Sequence, residues 1–344
     1  MPRVTPEKLT AFTTHVLEAV GTPVPAARLV AQNLVEADLT GHESHGVLRL
    51  KQYCGHARDG YAQPAARPTI AREHGVTAVV DGRCAWGPVV GQFAIQLALQ
   101  KAREHAVGVV SIFNCYHLGR LGVYPERAAR HGFISMAFCN VHGSARMAPW
   151  GAVERRIPTN PIAVAIPTRD QPIVADLATS AVAEGKVRLA KVKQERVPCG
   201  WVFDAEGGWS DDPNELYGNG SLVPLGGNQG HKGYSLSVAM DLVGGVLSGA
   251  GSGLMTERYG NGVLLQVIDP AAFTDPTAYQ HRIDAYVAYL KSARRRAGVK
   301  EVLLPGEIER QRMAERRHDG LELPDGVYQM LEELAENYKV KLEF

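Results

Sequence analysis

Residues 107–119 read Val-Gly-Val-Val-Ser-Ile-Phe-Asn-Cys-Tyr-His-Leu-Gly. Val107 to Phe113 is a β-branched apolar run of strand length, and it stops abruptly at Asn114-Cys115-Tyr116-His117. A polar segment at the end of a buried strand is presented at a sheet edge or cleft, where an imidazole poised near neutral pH can exchange a proton with a ligand. A loop histidine that caps the next helix would look the same, so both readings stand. Similar runs at Val76–Val80, Ile134–Phe138, Ile162–Ile166, Ile173–Asp176 and Val263–Ile268 predict a sheet beginning at residue 76. Helical stretches between them, including Val89–Glu104 and Val123–Arg130, make the body mixed α/β.

The first sixty residues instead have helical spacing. Leu9, Phe12, Val16 and Val20 follow the Thr5-Pro6 cap, and Gly21 closes that segment. A second helix runs from Pro25 to about Leu39, and a third is expected from near Ser44 past Tyr53. Tyr279–Arg296 reads as a late helix whose last turn carries Arg294, Arg295 and Arg296, where they would offset the macrodipole. From Gly306 the chain returns to charged helical sequence.

The chain has 344 residues, and 37 Lys plus Arg against 36 Asp plus Glu leave a charge of +1. That balance gives no phosphate-tracking face, so a nucleic-acid partner is not expected. Five cysteines with no C-x-x-C pair suggest reduced thiols and no zinc site. No secretory leader is apparent at the N-terminus. Tyr234–Leu254 is apolar but holds Asp241 and five glycines, which suits a buried helix and its exit loop better than a membrane span. A soluble, cytoplasmic protein is the expectation, with no membrane partner.

The densest polar cluster is Gly41-His42-Glu43-Ser44-His45-Gly46, followed by Arg49 and Tyr53. On a helix, positions 45, 49 and 53 would align imidazole, guanidinium and phenol on one face. An Arg fork can hold a carboxylate while a neighbouring His or Tyr takes a hydroxyl proton. A solvated helix face with an incidental histidine is the alternative. His42-Glu43-Ser44-His45 lacks the i, i+4 histidines of zinc hydrolases, so no metal is expected. No G-x-G-x-x-G follows a strand; Gly226–Gly233, with His231 and Lys232, opens a helix where backbone N–H groups suit a phosphate or only close packing.

Taken together, GHESHGVLRL (41–50), HLGRLG (117–122), TNP (159–161), DLATSAVAEGK (176–186), HKGYSLSVAMDLVGGVLSG (231–249) and LPGE (304–307) resemble the type 2 malate/L-lactate dehydrogenase family. The resemblance implies a largely antiparallel mixed sheet forming a non-Rossmann NAD(P)-binding body (76–304). A helical lobe from both chain ends (1–75 and 305–344) would pack on it, in a homodimer. It implies hydride exchange between a small 2-hydroxy acid, or its 2-keto product, and NAD, with NADP as the other option. Reduction of a cyclic imino acid or α-keto acid by NADPH is the neighbouring alternative, and a non-catalytic nucleotide or small-acid binder a remote one.

On matched positions His117 would be the acid/base and Arg49 the carboxylate grip, with His45 and Tyr53 beside it. Asn140, Thr159, Asn160, Asp176, Leu177, Ala178, Thr179, Ser180, His231, Lys232, Pro305, Gly306 and Glu307 would approach the cofactor. The chain departs from the family pattern at Tyr116 and Pro158, and His142 and Arg146 stand where relatives vary their substrate contacts. Glu184, near the expected adenosine ribose, would disfavour a 2′-phosphate.

Overall fold

The structure, a computed structural model, describes residues 3–256 and 258–344. Helices α1 (Pro6–Ala19), α2 (Val24–Leu39) and α3 (Leu50–Arg58) build the N-terminal lobe. Leu9, Phe12 and Val16 of α1 pack with Leu34 of α2 and Leu50 of α3, so the helical spacing of the sequence becomes one apolar seam. Each such side chain, fully buried, contributes about 1.5–3 kcal/mol.

The third helix is shorter than expected. Glu43–His45 and Val47–Arg49 are separate single 3₁₀ turns, broken at Gly46, and regular helix starts only at Leu50. A Cβ on Gly46 would lie 1.8 Å from a carboxylate oxygen of Asp38, so the chain passes that buried side chain at a distance only glycine allows.

Seven strands form the main sheet: β1 (Thr69–His74), β2 (Thr77–Asp81), β3 (Val107–Cys115), β4 (Ile134–His142), β5 (Ile162–Ile166), β6 (Ile173–Leu177) and β7 (Gly260–Ile268). Their order is β1-β2-β3-β7-β4-β5-β6, and only β2 and β3 are parallel. The sheet is therefore mixed and largely antiparallel. It begins at Thr69, inside the stretch read from the sequence as helical lobe. β1 is an exposed edge strand bearing Arg72, Glu73 and His74, so it lacks the apolar alternation that reveals a half-buried strand.

Helices α4 (Gly87–His105) and α5 (Val123–Arg130) supply the other half of the sheet core, where Ala94 and Ala98 pack with Val110, Ile112, Val263 and Leu265. Helix α6 (Glu184–Lys193) and three two-residue strands enclose a smaller core around Met147, Val187, Val202 and Leu222.

Helix α7 (His231–Met240) continues as a π turn, Asp241–Val246. The wider turn sends Gly244 and Gly245 inward and leaves Leu242 and Val246 more than half exposed, so this apolar stretch is not the buried helix its composition suggested. Among the described residues no helix is long and apolar enough to cross a membrane.

Helix α8 spans Pro276–Lys291, so Arg294–Arg296 lie beyond its end and do not compensate its dipole. Helices α9 (Glu307–Asp319) and α10 (Asp325–Tyr338) bring the chain back to the first lobe. Leu331 and Leu334 share its core, Phe344 meets Phe12 edge-on at 5.8 Å, and Arg3–Val4 pairs with Leu321–Glu322.

Candidate active site

Strand β3 reaches the site through a bulge. Ile112 faces Val263 and Cys115 faces Asn261, so β3 advances three residues while β7 advances two. Asn114 absorbs the extra residue in a left-handed conformation, φ 49°, and its amide donates to Asp81 at 3.0 Å. The bend delivers His117 to a cleft of about 950 Å³.

His117 is buried against Tyr53, whose hydroxyl lies 2.8 Å from Nδ1 and 3.3 Å from the His117 carbonyl oxygen. The carbonyl can only accept, so satisfying both contacts requires Tyr53 to donate to it and to accept from Nδ1–H. Nε2 is then a bare lone pair, and it has no partner among the described residues. Burial, and then the charges of Arg49 and His45, hold the imidazole well below its ordinary pKa, so it rests neutral.

Tyr53 itself is fully buried, stacked on Trp86 at 5.1 Å and edge-on to Tyr116 at 5.1 Å. The resemblance put it beside the carboxylate grip; its hydroxyl is instead engaged by His117 Nδ1 and the His117 carbonyl.

The two 3₁₀ turns carry the other groups. Asp38 accepts from the Val47 amide at 2.9 Å and pins the corner. Its carboxyl is pushed up to about 8, chiefly by burial. Arg49 donates from Nε to the Ser44 carbonyl at 2.7 Å and from Nη1 to Gln52 at 2.9 Å. Those bonds fix the guanidinium plane and leave Nη2 without a partner among the described residues. Arg49 and His117 line the same cleft. His45 stacks on His117 with centroids 5.5 Å apart, and burial pushes it down to about 3, so it acts as a neutral hydrogen-bonding group.

Of the residues expected at a cofactor, Thr159, Asp176, Leu177, Ala178 and Ser180 line this cleft. Asp176 accepts from the Gly122 amide at 2.8 Å and pairs with buried Arg120 at 3.5 Å. Asn140, Asn160 and Thr179 are buried in contacts within the protein: Asn160 donates to the Ser237 carbonyl at 3.0 Å and Thr179 to that of Thr159 at 3.0 Å. His231 and Lys232, at the start of α7, do not themselves line the cleft, although Gly233 beside them packs on Leu225, which does. Pro305, Gly306 and Glu307 also lie off it, Glu307 pairing with Lys291 at 2.7 Å. Arg146 lines the cleft, whereas His142 is buried against the Arg258 carbonyl.

The N-terminus of α6 opens on the cleft. Ala183, Glu184, Gly185 and Lys186 line the cleft, and Gly185 sits so close to Ser44 that a Cβ would lie 2.1 Å from its side chain. The Glu184 and Gly185 N–H groups at this helix start have no partner among the described residues and, with Lys186 beside them, would suit a pyrophosphate, so the donor set fits a dinucleotide. Glu184 accepts from Arg188 at 3.0 Å and from Tyr217 at 2.8 Å. Despite burial, these partners hold its carboxyl below the usual range. In sequence, Ser180–Lys186 ends in Gly-Lys but lacks the first glycine of a nucleotide phosphate loop.

The likeness to known proteins is continuous along the chain. A malate dehydrogenase of Pyrococcus abyssi is 35% identical over 348 residues, covering 98% of this chain and 96% of that one. An L-sulfolactate dehydrogenase of Methanothermobacter thermautotrophicus is 33% identical, covering 99% and 98%. The crystal structure of malate dehydrogenase from Entamoeba histolytica superposes with a TM-score of 0.94 at 29% identity, covering 100% of this chain and 99% of that one. Residues 4–332 match the family described as malate/L-lactate dehydrogenase, and this chain belongs to it.

Proposed function

We propose that the protein is a nicotinamide-dependent dehydrogenase of small 2-hydroxy acids. The observation that carries this reading is the presence in one cleft of a neutral imidazole with a bare Nε2 and a guanidinium with a free N–H edge. The substrate carboxylate docks on Nη1 and Nη2 of Arg49, whose plane is already fixed by Ser44 and Gln52. That places the 2-hydroxyl at His117 Nε2, which takes its proton while hydride leaves the carbon.

When bound, the nicotinamide supplies the hydride acceptor. Thr159, Leu177, Ala178 and Ser180 would hold it, with the α6 N-terminus on the pyrophosphate. Docking of the carboxylate also offsets the Arg49 charge that holds His117 low, so the base strengthens when substrate arrives.

NAD is the preferred form, on the strength of the Glu184 carboxylate in the cleft wall. A homodimer covering exposed Leu242, Val246 and Leu247 is the assembly, and the thiols of Cys54, Cys115 and Cys139 suit the cytoplasm. The test is nicotinamide absorbance with malate, lactate, sulfolactate and bulkier 2-hydroxy acids, each with NAD and NADP. Turnover of at least one acid is expected; none with either cofactor would overturn the reading.

A further inference from the structure

Asn140, Asp241 and Asn261 are buried polar side chains to which no step above gives a role; Asn261 also lines the cleft, and the three are joined by hydrogen bonds that end at the backbone after His117. The Leu118 amide donates to Asn261 Oδ1 at 2.8 Å, and Asn261 Nδ2 donates to the Asn140 carbonyl at 2.9 Å. Asn140 Nδ2 donates to Asp241 Oδ1 at 3.0 Å and to the Gly251 carbonyl at 2.7 Å, while its Oδ1 accepts from the Gly262 amide at 2.8 Å. Ser252 donates to the second oxygen of Asp241.

The π turn packs directly on this hydrogen-bonded chain. A Cβ on Gly245 would lie 2.1 Å from Asn140 Nδ2, and one on Gly244 would lie 2.9 Å from the Asn140 amide nitrogen. Two consecutive glycines and the wider turn let Asp241 and the backbone close on Asn140, and π turns recur at functional sites for such reasons.

Leu118 follows His117 directly, beyond the β3 bulge, where β7 no longer offers a ladder carbonyl. Tyr53 fixes the His117 ring from one side only. The amide on the other side is held by Asn261 alone among the described residues.

We propose that Asn261, backed by Asn140 and Asp241, is a positioning residue that holds the His117–Leu118 backbone so that Nε2 faces the substrate hydroxyl. The role rests on the acid/base reading of His117 given above. It assigns the Asp241–Gly245 segment to catalytic geometry.

Two readouts test it. In protein without cofactor, hydrogen exchange at the Leu118 amide should speed up about tenfold or more in Asn261→Leu, because its acceptor is gone. In turnover, kcat of that variant should fall about tenfold or more with KM for acid and cofactor unchanged, since a small misplacement of a base costs rate. Asn261→Asp keeps the acceptor for Leu118 and, while protonated, a donor for Asn140. Its kcat relative to the parent should therefore be near one at low pH and decline as pH rises, a signature that simple destabilisation would not give.

If Asn261→Leu does not fold, Asp241→Ala removes the acceptor of Asn140 Nδ2 and of Ser252 one step back and should lower kcat about threefold at constant KM. Unchanged kcat in the folded variants, or a rise in KM alone, would overturn the proposal. A parent enzyme without turnover would instead overturn the functional reading on which it rests.

Discussion

The Tyr53 hydroxyl lies 2.8 Å from Nδ1 of His117, on the side of the ring away from the cleft, and this contact decides which nitrogen carries the proton. Tyr53→Phe removes it while keeping the stack on Trp86. The ring then loses its tautomer preference, and kcat should fall about tenfold, the worth of one buried hydrogen bond, with KM little changed. Steady-state kinetics checks it, and a rise in KM alone would contradict the role.

His117→Ala removes the proposed proton acceptor itself. Turnover should fall by about 10²–10⁴ while cofactor affinity, read by fluorescence titration, stays near that of the parent. Because burial and Arg49 hold this histidine below its ordinary range, the acid limb of kcat/KM in the parent should lie below pH 6.5.

Arg49→Lys keeps the charge and loses the fork. An ammonium cannot offer two parallel N–H groups, so KM for the acid should rise about tenfold to hundredfold, with a smaller effect on kcat. A proportionate loss of kcat at constant KM would move Arg49 from ground-state binding to the transition state.

Asp38 offers a pH test of stability. Its carboxyl sits at about 8 in the folded protein against an ordinary 3.8, so between those values the native state keeps a proton that the unfolded chain has released. Stability from this group is greatest below about pH 4 and is lost as pH rises toward 8. Buried neutral His45 and His117 act in the opposite direction below pH 6.5. The difference in Tm between parent and Asp38→Asn isolates the carboxyl and should shift against the parent as pH rises from 4 to 8. A difference independent of pH would contradict it.

Much of this was legible in the sequence, because apolar periodicity reports burial directly. Leu9, Phe12 and Val16 announced α1, and Val107–Phe113 announced the strand that carries His117. What misled was local chemistry that periodicity does not encode. The 45-49-53 spacing matched a helix face, yet the chain breaks at Gly46 against Asp38, and His45 and Arg49 reach the cleft from two short turns while Tyr53 stays on α3. Arg294–Arg296 followed helical residues without a visible stop, and the helix ends at Lys291. Asn261 carried a faint signal, a lone amide between glycines ahead of an apolar strand, but its partners come from residues 118, 140 and 241 and no spacing rule joins them.

Glu184→Gln tests cofactor choice. Removing the carboxylate lifts repulsion of a 2′-phosphate and frees Arg188, now held at 3.0 Å, to attract one. The NADP-to-NAD ratio of kcat/KM should rise roughly tenfold or more, equivalent to about 1.4 kcal/mol. An unchanged ratio would remove Glu184 from the choice.

Arg49 and His117, on the reading proposed above, hold one small acid between them. A crystal structure with reduced nicotinamide cofactor and oxamate, an unreactive 2-keto acid mimic, addresses it directly. The oxamate carboxylate is expected on the outer edge of Arg49 and its carbonyl oxygen within hydrogen-bond distance of His117 Nε2. Oxamate bound to either residue without the other, or outside this cleft, would contradict it.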